Sequence, residues 1–212
     1  MENIRIKFSK TGAAKYISHL DLNRLFQRCF KRSGVPIWVT EGFNPHIYLH
    51  FLLPLSLGSE SVSEYVDLKI YEPMDYKEIV ERLNSVLPKG FEILSAAAPV
   101  NKPVEIDSCR YELLFEETEM CEVEAFLNEN EIMALKKTKR QEYFVDLKKE
   151  MRDISLKETN GKPILSVTLS AIETHMINPE LIARAFSSFS GRDVYIRITR
   201  TAVFKKDGKD FE

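Results

Sequence analysis

Four basic residues at helical spacing and one compact turn hold most of the chemistry in this chain. Arg24, Arg28, Lys31 and Arg32 follow one another at intervals of four, three and one residue. On a helix that spacing projects them together as a ridge suited to the phosphates of a nucleic acid. The same spacing also describes an ordinary solvated helix face. Lys15, Arg5 and Lys7 would extend the ridge, and Tyr16 and Trp38 would offer rings on which an unpaired base stacks. The nucleic-acid-binding candidates are therefore Arg24, Arg28, Lys31, Arg32 and Lys15.

The turn is Glu41-Gly42-Phe43-Asn44-Pro45-His46, followed by Tyr48, His50 and Phe51. Gly42 and Asn44 permit positive φ angles, and Pro45 stiffens the exit. Glu41 and His46 form an acid/base pair if the turn brings them together, and His19 would present a second imidazole nearby. His19, His46 and Glu41 are thus the catalytic candidates, with a purely structural turn as the alternative. His46 and His50 do not suggest a shared metal, because four residues of extended strand hold their Cα atoms about 13 Å apart. A third group, Glu60, Ser61, Glu64 and Asp67, would present carboxylates to a cation or a basic partner, or simply form a wet strand face. Lys136-Lys137-Thr138-Lys139-Arg140 reads as a basic turn, and Arg192, Arg197 and Arg200 add positive charge near the last strand.

Common enzyme signatures are missing: there is no phosphate-binding glycine loop, no G-x-S-x-G, no H-E-x-x-H and no dinucleotide fingerprint. Cys29, Cys109 and Cys121 are an odd set without CxxC spacing, which points away from disulfides and from cysteine-based metal or iron–sulfur sites. No metal and no cofactor is expected, and a reducing cytoplasm is the expected compartment. No window approaches the eighteen or so continuous apolar residues of a membrane helix, and no leader pattern opens the chain, so neither a membrane span nor secretion is expected.

The net charge of −2 conceals segregation. Residues 1–34 hold eight Lys/Arg against two acids, residues 35–135 six against nineteen, and residues 136–212 sixteen against eleven. The ends are basic and the middle acidic, which creates a local anion-binding field unless the segments interleave in space and cancel.

The elements that must position these groups follow from periodicity and punctuation, in a chain whose 212 residues are 44% apolar. Ile4, Ile6 and Phe8 alternate as in a half-buried strand. Ser18 and Asp21 have capping-box chemistry, Leu22, Leu25, Phe26, Cys29 and Phe30 recur at helical spacing, and Gly34 with Pro36 stops the helix, giving a span of 18–33. Strands are predicted at 37–40, 47–53, 65–71 and 91–97, with a helix at 75–87. A second round begins at 111–115, with a helix at 119–128, strands near 132, at 143–147 and at 164–171, then a helix opened by Asn178-Pro179-Glu180 and a strand at 194–204. The expected class is α+β: two successive ferredoxin-like units with helices packed on antiparallel sheets, spanning 1–98 and 108–212 around a linker at 99–107. One continuous sheet is the alternative.

Tyr16-Ile17-Ser18-His19-Leu20-Asp21-Leu22 with Arg24, then Arg28, Arg32, Pro36, the run Glu41 to His46, Pro54-Leu55, Gly58, Ser61 and Glu64 resemble in order and spacing the radical SAM-linked family of bacterial proteins of unknown function. The match spans roughly the first seventy residues; the remainder resembles the family in layout more than in motif. Members occur alone or fused behind a cobalamin-binding-type radical SAM protein, and are often encoded near a ribonuclease of the E/G type and ribosomal protein genes. The resemblance implies an accessory role in RNA- or ribosome-related modification, beside a separately encoded radical SAM partner. This chain has no CxxxCxxC triplet, so the radical cluster would belong to that partner. The expected function is accordingly an accessory that binds RNA or presents an RNA-related substrate. Two other classes remain: a metal-independent RNA-processing enzyme using His19 or His46, and a protein–protein adaptor without nucleic acid. Paired ferredoxin-like units also resemble CRISPR RNA-processing endoribonucleases, but Phe189-Ser190-Gly191-Arg192 lacks that family's glycine-rich loop.

Overall fold

A computed structural model describes residues 1–137 and 141–212. The first strand, β1 (Glu2–Lys10), buries Ile4, Ile6 and Phe8 as their alternation predicts. Helix α1 (His19–Ser33) starts where Ser18 Oγ accepts the Asp21 amide and stops at Gly34, whose φ of 70° is left-handed. After β2 (His50–Phe51) come β3 (Glu60–Ile70), α2 (Tyr76–Asn84, capped by Asp75) and β4 (Phe91–Ala97). Within this unit the sheet runs β4-β1-β3, with β2 also paired to β3, and the β1–β3, β1–β4 and β2–β3 pairings are antiparallel. Leu22, Phe26 and Phe30 of α1 and Ile79 and Leu83 of α2 pack onto Ile4, Ile6, Phe8, Val66, Leu68 and Ile70. Phe26 is the centre, with ring centroids 4.8 Å from Phe8, 5.5 Å from Phe51 and 6.2 Å from Phe91.

The second set comprises β5 (Ile106–Phe115), α3 (Met120–Asn128), the paired strands β6 (Met133–Lys137) and β7 (Glu142–Asp146), the short α4 (Leu147–Glu150), β8 (Arg152–Thr159), β9 (Lys162–Ser170), α5 (Glu180–Ser190) and β10 (Ile196–Lys205). The main strands follow the order β10-β5-β9-β8, again antiparallel. Phe115, Phe126 and Phe186 are its aromatic centre. The class is therefore mixed α+β, mostly antiparallel in its strand pairing, with five α-helices among the described residues. No helix among them is long and apolar enough to cross a membrane.

The chain divides into two compact units: Met1–Glu105 together with Glu212, and Ile106–Phe211. The segment read as a linker, 99–107, is only partly one, because its last two residues open β5, where Ile106 is buried. Glu212 joins the first unit through a backbone bond from the Asn101 amide (3.1 Å) and another from its own amide to Asn101 Oδ1 (3.0 Å).

Two local expectations fail. The predicted strands at 37–40 and 47–53 reduce to β2 and to isolated bridges, Ile37 to Ile70 and Val39 to Ile47, because Pro36, Pro45 and Pro54 interrupt the run and withhold three ladder donors. Strand β8, not predicted, is exposed along nearly all its length, so its burial leaves little alternation to read. The signal was at its end: Asn160 and Gly161, with φ of 53° and 74°, form the two-residue turn into β9 that an Asn-Gly pair favours.

Candidate nucleic-acid interface

Helix α1 buries Leu22, Phe26, Cys29 and Phe30 and leaves Arg24, Arg28, Lys31 and Arg32 exposed on the opposite side. At 3.6 residues per turn, Arg24, Arg28 and Lys31 fall within an arc of about 60°, separated by about 6 Å and then about 4.5 Å along the axis. Arg24 faces Asp21 (Nη1 to Oδ1, 3.4 Å) with both side chains about 60% exposed, where such a pair is weak. Arg28, Lys31 and Arg32 have no ion-pair partner among the described residues. Lys31 and Arg32 also suit the negative end of the helix dipole.

Buried polar groups hold the start of this helix. Lys10 Nζ, at the end of β1, donates to the Ile17 carbonyl (2.8 Å) just before the cap. Burial pulls the Lys10 ammonium below its ordinary value, opposed by the charge of Glu64. Gly90 accepts from the Thr11 amide through its carbonyl (2.8 Å), and a Cβ at Gly90 would lie 2.7 Å from Thr11 O and 2.9 Å from Ala14 Cβ. Only glycine fits where β4 begins against the turn that leads to α1. Lys15 does not join the ridge: the 3₁₀ turn Gly12–Tyr16 tucks it inward, 8% exposed, toward Glu60 (3.5 Å). Arg5 is likewise buried. Tyr16 does present its ring, 63% exposed, whereas Trp38 is half-buried with Lys69 Nζ 5.5 Å from its centroid.

The turn from Glu41 to His46 is exposed throughout. It is closed by its ends: the Thr40 amide donates to the His46 carbonyl (2.9 Å), the His46 amide donates to Thr40 Oγ1 (3.1 Å), and His46 Nδ1 sits 3.1 Å from Thr40 Oγ1 and 3.0 Å from Asn44 O. Gly42 has φ of 129°, and Phe43 at the tip is fully exposed. The expected Glu41–His46 acid/base pair does not form, since the imidazole is committed to the loop's own backbone and to Thr40. His19 packs its ring edge-on to Phe51, centroids 5.4 Å apart, and no hydrogen bond joins it to His46 or Glu41. The three catalytic candidates are not brought together. Among the described residues, no three His, Cys, Asp or Glu side chains converge as a metal site.

On the other face of the first sheet, register assembles residues that lie far apart in the chain. Arg5 on β1 stands opposite Asp67 on β3, and Asp67 stands opposite His50 on β2. Arg5, 4% exposed, donates from Nε to Asp67 Oδ1 (2.7 Å) and from Nη2 to Oδ2 (2.8 Å), while Nη1 donates to the backbone oxygens of Asn101 (2.8 Å) and Glu212 (2.7 Å). The carboxylates of the third group are thus engaged internally, Glu60 toward Lys15 and Asp67 by Arg5, and Ser61 and Glu64 are buried. Beside this row lies an open cleft of about 450 Å3, edged by Tyr48, His50, Lys69 and the segment Pro99 to Pro103.

In the second unit several basic groups are compensated by acids. Arg192 Nη2 donates to both oxygens of Glu122 (2.8 and 2.7 Å), Arg197 pairs with Glu116 (3.1 Å), and Lys162 also binds Glu116. Lys162 above all holds the Glu116 carboxyl below its ordinary value, and Arg192 does the same for Glu122. Arg200 is buried, its Nε 3.3 Å from Tyr111 Oη. These arginines therefore do not form the expected basic strand. Of the predicted basic turn, Lys136 lies over Tyr143 and Lys137 pairs with Glu142 (2.9 Å); Thr138, Lys139 and Arg140 lie outside the described residues.

A family model for an uncharacterized protein conserved in bacteria (DUF2344) matches residues 3–179. The chain belongs to this family. The matched span contains α1, the turn at 41–46 and the cleft, and ends just before α5. No curated protein matches the chain. A solved structure, the crystal structure of an unknown protein from Galdieria sulphuraria, is similar at 15% identity over 94% of this chain and 98% of that chain, with a TM-score of 0.28, a likeness too slight to carry any argument.

The grouping that sequence reading missed in this family member is Arg5, Asp67 and His50 with Lys69 and Tyr48. Period-two alternation already places Arg5 opposite to Ile4 and Ile6, and Tyr48 on the face of His50. What alternation lacks is which strands pair and in what register.

Proposed function

We propose that this chain is an RNA-binding accessory protein of a separately encoded radical SAM partner, acting in the cytoplasm, with the α1 ridge holding phosphates and the turn at Glu41 to His46 completing the recognition surface. The observation that carries this reading is the exposed, uncompensated charge of Arg28, Lys31 and Arg32 in line with Arg24 on one helix face. A row of cations without acids releases counterions when phosphates replace them, which favours a polyanion. Phe43, fully exposed on a turn clasped by Thr40 and His46, supplies a ring on which an unpaired base stacks. The radical SAM link rests on the sequence resemblance of the first seventy or so residues. We also read each unit as ferredoxin-like: in both, a helix follows the first and third main strands and the strands lie in the order fourth, first, third, second.

The test is binding of fluorescein-labelled single-stranded RNA by anisotropy, beside sequencing of RNA that accompanies the purified protein. Arg24→Glu with Arg28→Glu is expected to weaken binding by about 100-fold and to flatten its dependence on salt, with a slope smaller by about 1.4 if both contact phosphates. Unchanged affinity removes α1 from the account, and salt-insensitive binding to a protein partner without RNA favours an adaptor instead.

A further inference from the structure

The cleft on the first unit's sheet has a composition of its own. Its floor is neutral, because Asp67 matches the charge of buried Arg5. Its rim is positive: Lys69 and Lys102 edge it, both exposed and neither with an acid partner among the described residues. The ring of Trp38, 5.5 Å from Lys69 Nζ, restrains that ammonium at the rim without neutralising it. The walls are flat and largely apolar, with Tyr48 47% exposed on one side and Val100, 74% exposed, between prolines on the other. His50 and Asn3 add hydrogen-bonding edges. The volume of about 450 Å3 lies within the roughly 300–1,000 Å3 usual for small-molecule sites. Arg5 fastens the far wall to the sheet through the Asn101 carbonyl, so the cleft is built by a buried, fully directed side chain and not by loop packing alone.

We propose that this cleft binds a single nucleotide, with its phosphate between Lys69 and Lys102 and its base against Tyr48 and Val100. Two cations on the rim, with Asp67 the one lining carboxylate and matched by Arg5, select an anion; the aromatic and aliphatic walls select a flat, weakly polar body beside it. A nucleoside monophosphate joins both in one molecule, and an unpaired nucleotide of an RNA strand presents the same chemistry. The inference goes beyond the α1 reading and does not depend on it, since no ridge residue lines the cleft.

The experiment is titration of the full chain with adenosine monophosphate and uridine monophosphate, followed by NMR and calorimetry, with adenosine and inorganic phosphate as separate arms. Either monophosphate is expected to bind with a Kd at or below about 1 mM, at least tenfold tighter than adenosine or phosphate alone. Lys69→Ala and Tyr48→Ala, both exposed and expected to leave the melting temperature unchanged, should each raise that Kd about tenfold. Arg24→Glu with Arg28→Glu should leave it within about twofold, so loss of RNA binding in that variant with nucleotide binding intact separates failure of the ridge from failure of the cleft. Repeating the Lys69→Ala comparison with a short oligonucleotide identifies the source, an RNA strand if its affinity also falls and a free nucleotide if it does not. No binding at several millimolar, phosphate alone binding as tightly as the monophosphate, or affinity unchanged in both cleft variants overturns the proposal.

Discussion

In the first unit, Arg5, Lys10 and Lys15 are buried among fixed partners, Arg24 and Arg82 make exposed pairs with Asp21 and Glu78, and Arg28, Lys31 and Arg32 are left on the surface without an acid. In the second, Arg192, Arg197, Lys157, Lys162 and Arg184 each face a glutamate. Residues 1–34 and 136–212 look alike by net charge, +6 against +5. They differ once folded, because Glu112, Glu116 and Glu122 from the acidic middle lie in the second unit and quench its cations there. Charge counted along a chain therefore says where a field could arise, and pairing decides where it does.

The sharpest contrast is between ion pairs. Asp67→Asn is expected to cost about 3–5 kcal/mol in urea denaturation, because Arg5 keeps a buried charge without its carboxylate. Arg184→Ala, which breaks an exposed pair in the second unit, should cost no more than about 0.5 kcal/mol. Comparable losses from the two would erase the distinction.

Next in size is RNA affinity after neutralisation. Arg28→Gln with Lys31→Gln should weaken RNA binding by about tenfold or more, whereas Arg192→Gln with Arg197→Gln should change it less than about twofold. An equal loss from the second unit would mean that its paired arginines exchange glutamates for phosphates.

Glycines separate the units more modestly. Gly90→Ala, with a φ of 94° and Thr11 O and Ala14 Cβ in the way, should cost about 2–3 kcal/mol and disturb the start of α1. Gly161→Ala, at φ of 74° with nothing within 4 Å, should cost about 1 kcal/mol. Thermal melts of the two variants side by side test this.

The smallest effect is on pH dependence. Glu116 and Glu122 titrate below their ordinary 4.5 when folded, so the stability they contribute is complete above that value and is lost as pH falls through the folded one. Arg192→Gln should reduce that loss on acidification. Lys10 in the first unit titrates below its ordinary 10.5, so between the lowered value and 10.5 the unfolded chain binds more protons and stability rises with pH. Lys10→Met should flatten that rise in melts taken on the alkaline side.

Helix α1 was legible almost to the residue, since its apolar spacing, the Ser18 cap and the Gly34 stop are local and agree with one another. Helices α3 and α5 were readable for the same reason, Glu119 and Asn128 bounding one and Pro179 and Gly191 the other. The segment at 37–53 was misread because apolar residues there report burial, as Ile37 and Ile47 show, while the prolines in and beside it deny the ladder that would make it strand.

The sequence by itself determined the ridge on α1, because a helix of known ends places Arg24, Arg28, Lys31 and Arg32 on one face whatever surrounds it. It also determined that the 41–46 segment turns. Only the tertiary structure decided that Lys15 is buried, that His46 serves its own loop instead of Glu41, and that Arg5, Asp67 and His50 share one row beside a cleft. The burial of Lys15 and the row of Arg5, Asp67 and His50 depend on register and packing that join residues 17 to 62 positions apart, and local propensity carries no information over that distance.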